Sequence, residues 1–294
     1  METFLQTVIY GLATGSVIAV AAVGLTLSFG VTGFINFGYG EMLTIGAFTT
    51  YLLVQAGLPL LPAAVLAVAV GGLVTYVVAQ VCYEPLRNRG ALALLITSVG
   101  VAFVLQNLVQ ILVGGSPKPF PVPLTEPWRF GEVFVPKLQA GILVVAVLCM
   151  AAVHLLLKYT LLGRSMRAAA SNDALARLSG INTRRIIGAT WVVSGLVAGL
   201  GGVLLGASQG NINPTIGFNF LLVVFAAAML GGIGQPYGAM AGALVIGLGV
   251  EFGATYVSAD YSHAIAFFVL VLVLLLRPSG LFGRPSLAGA EAAT

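Results

Sequence analysis

Charge is what this sequence has least of. Of its 294 residues only 7% are Asp, Glu, Lys or Arg, against 59% hydrophobic, and the mean hydropathy is +1.05. A soluble domain carries roughly 25% charged residues, so this chain cannot coat a water-facing surface. That excludes a soluble globular protein and leaves an integral membrane protein. A membrane barrel would read as alternating segments of about ten residues. The apolar runs here are long and unbroken, so the spans are helices and the fold class is an all-α, polytopic helical bundle.

Other scarcities narrow the chemistry. There are two cysteines, Cys82 and Cys149, far apart and each inside an apolar run. They read as buried thiols with no disulfide or metal role. The two histidines, His154 and His263, have no ligand spacing. No G-x-x-x-x-G-K-[ST] loop, H-E-x-x-H pair or nucleophile elbow is present. The chain is therefore not expected to be an enzyme or to bind a cofactor or metal of its own. Energy for uphill transport would come from an ion gradient or another subunit. The N-terminal METFLQTVIYGLATG lacks a basic region, so no cleaved signal peptide is expected. With no low-complexity linker and no soluble segment, residues 1–294 read as one transmembrane domain. The net charge of +4 is read as membrane orientation and not as nucleic-acid binding.

What is abundant is spanning sequence. At ~20 residues per span, about nine segments emerge: 4–29, 33–55, 60–82, 91–113, 138–157, 186–208, 218–234, 238–257 and 262–276. The seventh is short and glycine-ended, so eight full crossings plus a partial one is the alternative. Lys and Arg placement orients the chain. Arg87 and Arg89, then Lys158, Arg164, Arg167, Arg177, Arg184 and Arg185, then Arg277 and Arg284 all fall on one side if the crossings number nine. That side is the cytoplasm, which puts the N-terminus outside and the C-terminus inside. The connection 114–137 then faces out. It holds Lys118, Arg129, Lys137, Glu126 and Glu132, and Pro117, Pro119, Pro121, Pro123, Pro127 and Pro136 keep it extended against its neighbours. Glycines four apart, at Gly11/Gly15, Gly195/Gly199, Gly202/Gly206, Gly238/Gly242 and Gly249/Gly253, allow close helix contact. They serve either internal packing or a subunit interface.

Two stretches carry polarity where it needs a reason. In GFINFGYGEM (33–42), Asn36, Gly38, Tyr39, Gly40 and Glu41 interrupt an otherwise apolar region. Gly38 and Gly40 weaken a helix there, and Asn36 can bond freed backbone groups. Irregular backbone at membrane depth is tolerated only inside protein or beside a water-filled cavity, so at least one broken helix facing the interior is expected. Glu41 is read either as a hydrogen-bond acceptor that fastens the break, or as part of a pathway. Glu251 poses the same question, and Gln106, Asn107 and Gln110 add polarity to the fourth segment, with interhelical hydrogen bonding as the plainer reading.

The second stretch is the loop 158–187. Ser171, Asn172 or Asp173 can cap a short helix, Ala174, Leu175 and Leu178 follow at helical spacing, and Gly180 suits its end. Asn182 or Thr183 caps the next helix. This short helix has an apolar face outside the lipid. That face packs on the chain's own helix ends, lies among headgroups, or docks in a groove on a cytoplasmic partner.

Three stretches together resemble the permease subunits of branched-chain amino-acid ATP-binding-cassette importers, the Liv-type family, and its shorter permease in particular. They are GLTLSFGVTGFINFGYGEMLTIGAF (24–48), LLGRSMRAAASNDALARLSGINTRRIIGATWVVSGLVAGLGGVLLG (161–206) and AAAMLGGIGQPYGAMAGALVIGLGVEFGATYVS (226–258). INPTIGF (212–218) and RPSGLFGR (277–284) extend the likeness over nearly the whole chain. The resemblance implies a bacterial inner-membrane protein in a heterodimer with a longer sister permease, two cytoplasmic ATPases that hold ATP and Mg, and an extracytoplasmic substrate-binding protein. It favours ATPase docking for the short helix, with Arg167, Asp173, Leu175, Ala176, Leu178 and Gly180 as coupling residues. It leaves Asn36, Tyr39, Gly40, Glu41, Gln106 and Glu251 as pathway or helix-break residues. The family often has His where this chain has Tyr39 and Ala where it has Gly38, so the exact substrate does not carry over. The alternative is an ion- or proton-coupled secondary transporter or channel for a small polar solute.

Overall fold

The computed structural model describes residues 2–122, 127–130, 133–258, 261–276 and 280–282. Its helices are α1 (Glu2–Thr32), α2 (Tyr39–Gln55), α3 (Leu60–Val78), α4 (Ala91–Val113), α5 (Lys137–Tyr159), α6 (Leu161–Ser171), α7 (Asp173–Leu178), α8 (Thr183–Gln209), α9 (Ile216–Gly231), α10 (Pro236–Tyr256) and α11 (Ser262–Leu276). Past Val78, α3 runs on through a π turn, Ala79–Tyr83, and a 3-10 turn, Glu84–Arg89. Pro85 lies in that continuation and has no N–H for an α-helical bond. Among the described residues, six helices are long and apolar enough to cross a membrane: α1, α3 with its continuation, α4, α5, α8 and α10.

The remaining three apolar helices are short. α2, α9 and α11 have 17, 16 and 15 residues, about 25 Å or less at 1.5 Å per residue against a hydrocarbon core of about 30 Å. The short seventh segment is thus borne out as α9. The second segment needs correction: α2 begins at Tyr39, not at Gly33. The break lies at residues 33–38, so Gly38 ends it and Gly40 is already helical.

α1 to α4 and α8 to α11 are two copies of one arrangement. α1 ends at Gly33 (φ +73°) and α8 at Gly210 (φ +70°), left-handed positions that glycine takes at no steric cost. The chain then reads GFINFGYG at 33–40 and GNINPTIG at 210–217. In both, the Asn side chain accepts from the N–H two residues on: Gly38 to Asn36 at 2.9 Å and Thr215 to Asn213 at 3.1 Å. In both, the Asn carbonyl accepts from the first residue of the next helix, Tyr39 at 3.3 Å and Ile216 at 3.0 Å. A short helix follows, then a turn into a helix whose start carries proline, Pro59 before α3 and Pro236 in α10. Packing repeats too. α1 lies along α10 as α8 lies along α3, with Gly15 against Leu244 and Gly247, and Gly199 against Val68 and Gly71.

α5 crosses once between the two copies, so the second runs in the reverse direction. The antiparallel match of α1 and α10 shows it: Phe4 meets Phe252 (ring centroids 5.5 Å), Thr14 donates to Glu251 (2.7 Å), and Gly30 faces Gly234. At one end of the bundle, β1 (Lys118–Pro119) pairs with β4 (Asn211–Ile212), while β2 (Trp128–Phe130) pairs with β3 (Val133–Val135). Gln6 clamps that hairpin to α1 through the Phe134 carbonyl (2.6 Å) and N–H (3.1 Å). Where it is described, the proline-rich connection is extended and pairs with its neighbours. Pro123, Glu126 and Glu132 lie outside the described residues, as do Arg277 and Arg284. The opposite end carries Arg87, Arg89, Lys158, Arg164, Arg167, Arg177, Arg184 and Arg185.

Most of the paired glycines face other helices of the chain itself. Gly11 and Gly15 receive α10, Gly195 and Gly199 receive α3, Gly202 receives α2, and Gly238 and Gly242 receive α9. With no hydrophobic force between helices in lipid, such close backbone contact is what holds a bundle together.

Candidate functional site

The first candidate site is the break between α1 and α2. Asn36 is 2% exposed. Its Oδ1 accepts from Gly38 N–H and from Tyr83 Oη (3.0 Å), and the next residue, Phe37, donates its N–H to Ser98 Oγ (3.1 Å). The returning segment is therefore tied to the end of α3 and to the second turn of α4. Tyr39 is fully buried, with its hydroxyl at Gly24 of α1. Gly40 meets Gly217 of α9, and Gly217 N–H donates to Thr44 Oγ1 (3.1 Å). The N-terminal turns of two short helices thus meet inside the bundle, and their dipoles present partial positive charge there.

Glu41 sits in the first turn of α2, fully buried. Neither carboxylate oxygen meets a hydrogen-bond donor at bonding geometry among the described residues. The acceptor that visibly fastens the break is Asn36, while the Thr44 hydroxyl, three residues on, is the polar side chain beside Glu41. The N-terminus of α2 adds a further favourable interaction for the carboxylate. Glu251 behaves otherwise: half-buried, it accepts from Thr14 and ties α10 to α1. Gln106 is half-buried on α4, and Asn107 and Gln110 are exposed on the same helix, with Asn107 donating to the Phe103 carbonyl (2.7 Å). These side chains do not converge with Glu41 on a single hydrogen-bond network among the described residues.

The second candidate site is the loop after α5. Thr160 Oγ1 caps α6 by accepting from Gly163 N–H (3.0 Å), so an additional helix, unforeseen in the sequence, precedes α7. Asn172 Oδ1 caps α7 through Leu175 N–H (3.0 Å), and Asn182 Oδ1 caps α8 through Arg185 N–H (3.2 Å). Gly180 has φ +82°. The bonds Ile181 N–H to Ala176 carbonyl and Gly180 N–H to Arg177 carbonyl close a Schellman turn. Asp173 accepts from Arg177 (2.6 Å) and from Arg87 (3.4 Å), linking α7 to the 3-10 turn before α4. Arg177 also donates from Nε to Thr183 Oγ1 (3.0 Å). The Arg167 guanidinium bonds the Leu157 carbonyl at the end of α5.

Of the six residues expected to couple, four are thus used within the chain. Arg167 and Asp173 are bonded internally, Ala176 is buried, and Gly180 makes the turn. Leu175 and Leu178 remain, 60% and 85% exposed on a rigidly held helix at the cation-rich end. Among the alternatives for this apolar face, packing on the chain's own helix ends is not what the structure shows.

Sequence reasoning missed the repeat around this site. The signal is present: G-x-I-N-x-x-x-G occurs at 33–40 and again at 210–217, and it pairs Gly217 with Gly40 and marks α9 as a second short helix starting inside the bundle.

Known proteins resemble this chain in sequence over most of its length. Residues 7–274 match the family model described as branched-chain amino acid transport system / permease component. The high-affinity branched-chain amino acid transport system permease protein LivH of Escherichia coli (strain K12) is 36% identical, with 96% of each chain covered. BraD of Pseudomonas aeruginosa, of the same description, is 38% identical over the same shares. The ribose import permease protein RbsC of Escherichia coli (strain K12) is 28% identical, over 89% of this chain and 82% of its own. No solved structure matches the chain. The chain belongs to the branched-chain amino acid transport system permease family, and is a multi-pass membrane subunit of a transporter.

Proposed function

We propose that this chain forms half of the translocation path of an ATP-driven importer for branched-chain amino acids. It pairs with a sister permease, receives cargo from an extracytoplasmic binding protein, and is moved by two cytoplasmic ATPases that hold ATP and Mg. The observation that carries the reading is α7: a helix capped, stapled and tied by Asp173 to Arg87, yet presenting two bare leucines to water. Burying an exposed Leu contributes about 1.5–3 kcal/mol, and a helix-in-groove contact is the usual way to cover such a face. Higher identity to LivH and BraD than to RbsC supports an amino acid over a sugar as cargo.

Orientation follows from the same end. The cation-rich face is cytoplasmic by the positive-inside rule, which puts the β-hairpin and the N-terminus outside and the C-terminus inside, in a bacterial inner membrane. The test is to purify the chain from its own membranes, identify the ATPases that accompany it, and measure leucine uptake with and without ATP. Co-purification of ABC ATPases and ATP-dependent uptake are expected. Uptake driven by an imposed proton gradient without ATP would overturn the reading.

A further inference from the structure

A surface that faces lipid carries no unsatisfied amide at its centre, because hydrocarbon offers no hydrogen bond in exchange. Asn219 departs from that rule. Its depth is fixed by its neighbours: Gly217 N–H donates to Thr44 of α2, and Phe218 lies against Phe103 of α4, with ring centroids 6.3 Å apart. Phe103 is the thirteenth of the 23 residues of α4, which leaves about 15 Å of helix on either side at 1.5 Å per residue. Asn219 thus lies near the middle of the spanning region, and its side chain is exposed. Among the described residues the amide nitrogen makes one long contact, 3.4 Å to Thr215 Oγ1, a hydroxyl already donating to Asn213.

The repeat shows that this position is special. Counting from the two G-x-I-N turns, the counterpart of Asn219 in α2 is Met42, which is fully buried. α2 is enclosed around its first turn, whereas α9 leaves the Asn219 face open. Beside Asn219 on that face stand Leu222 and Phe103, both about half exposed, and the half-buried Phe218. Gln106 follows Phe103 by one helical turn.

On the reading that the chain is a permease, we propose that this α4–α9 face is its wall of the translocation path, and that Asn219 is the residue that hydrogen-bonds the polar end of a zwitterionic amino acid in transit. The chemistry fits in both directions. An amide donates to a carboxylate and accepts from an ammonium group, and the nearby N-terminus of α9 adds partial positive charge toward the carboxylate. Phe103, Phe218 and Leu222 offer apolar contact to an aliphatic side chain. A neutral amide also holds cargo weakly enough to release it, which conduction requires.

The test uses the assembled transporter, with Cys82 and Cys149 replaced by Ala, and a charged, water-soluble methanethiosulfonate as the probe. Asn219→Cys and Phe103→Cys are expected to react, their modification to stop uptake, and excess leucine to slow the reaction. Leu148→Cys, on an exposed apolar position of α5, should stay unmodified. Separately, Asn219→Leu should lose about tenfold in apparent affinity for leucine at unchanged membrane abundance, the effect of one hydrogen bond to a charged group, and Asn219→Gln should recover part of it. If the Asn219→Cys and Phe103→Cys variants stay unreactive in a transporter that still takes up leucine, the proposal is overturned, because lipid or a partner chain would then cover this face. Absence of ATP-dependent uptake in the parent transporter would instead defeat the proposed ATP-driven import on which this inference rests.

Discussion

Gly40 and Gly217 touch where the first turns of α2 and α9 cross, so that a Cβ on Gly40 would stand 2.7 Å from the Gly217 carbonyl oxygen. The obstruction is backbone, which cannot swing away as a side chain can. Gly217→Ala meets the Gly40 carbonyl at still closer range and Thr44 Oγ1 besides. Each variant should therefore lose about 1–3 kcal/mol, the range for overpacking. Gly100→Ala is the control: its Cβ meets nothing within 4 Å, and Ala in an open helical position should gain about 0.5–1 kcal/mol. Thermal unfolding in detergent reads all three. A Gly217→Ala variant as stable as the parent would show that the two helices do not approach this closely.

The two Asn turns share a design but not an environment. Asn36 is buried and also receives Tyr83 Oη, whereas Asn213 is half-buried and serves its own turn. Asn36→Leu leaves buried donors unpaired, at about 1–3 kcal/mol, and should sharply reduce membrane abundance. Asn36→Asp keeps an acceptor oxygen and should lose less. Asn213→Leu should be milder than Asn36→Leu by the same assay. Equal losses at 36 and 213 would mean that the bond to Tyr83 contributes nothing.

Much of this architecture is legible in the residues, and the limits have physical causes. Spans, caps and the cationic end follow from local rules, so α4, α7 and α8 fall close to where hydropathy, Asn172 and Asn182 put them. Hydropathy averaged over a span misplaces the start of α2 because Phe34, Ile35 and Phe37 offset Asn36, while the break there is made by the φ of Gly33 and the side chain of Asn36. Spacing leaves Glu41 open because its burial depends on the helices packed around α2, and packing across helices leaves no mark at fixed intervals. Asn219 is silent for the converse reason: an Asn between two Phe residues is ordinary until the fold shows it exposed at mid-membrane.

Glu41 gives a prediction opposite to that of a fastening residue. It is buried, and its carboxylate meets no donor at bonding geometry among the described residues, so the site bears a desolvation cost. Glu41→Leu, of similar volume, should melt no lower than the parent and accumulate normally in the membrane. An intramembrane ionisable residue kept at such a cost is a functional candidate, so uptake should fall in both Glu41→Leu and Glu41→Gln. A lower melting temperature with Leu and an unchanged one with Gln would restore the acceptor role.

Sidedness is checked by single cysteines at two exposed serines. Ser116 lies beyond α4 at the β-hairpin end, and Ser171 ends α6 at the cationic end. In sealed cells an impermeant thiol reagent should label Ser116→Cys at once, and Ser171→Cys only after the membrane is opened. The reverse pattern would invert the orientation and put α7 out of reach of any cytoplasmic ATPase.

The coupling role of α7 is tested by separating its face from its tether. Leu175 and Leu178 make no demand on the fold, being largely exposed, so Leu175→Asp and Leu178→Asp should leave abundance and melting unchanged. Placed in an apolar groove, each carboxylate would go unpaired, and the several kcal/mol that this costs should displace the ATPase or break the link between hydrolysis and uptake. Asp173 acts differently. Asp173→Ala frees Arg87 and Arg177 and leaves the leucine face intact. These pairs are partly exposed, so the stability lost should stay within about 1 kcal/mol. The ATPase should then still co-purify while uptake per ATP hydrolysed declines, because α7 would no longer push on the turn before α4. Measuring co-purification, ATP hydrolysis and uptake for the three variants distinguishes binding from transmission. Normal coupling in both leucine variants would remove α7 from the mechanism.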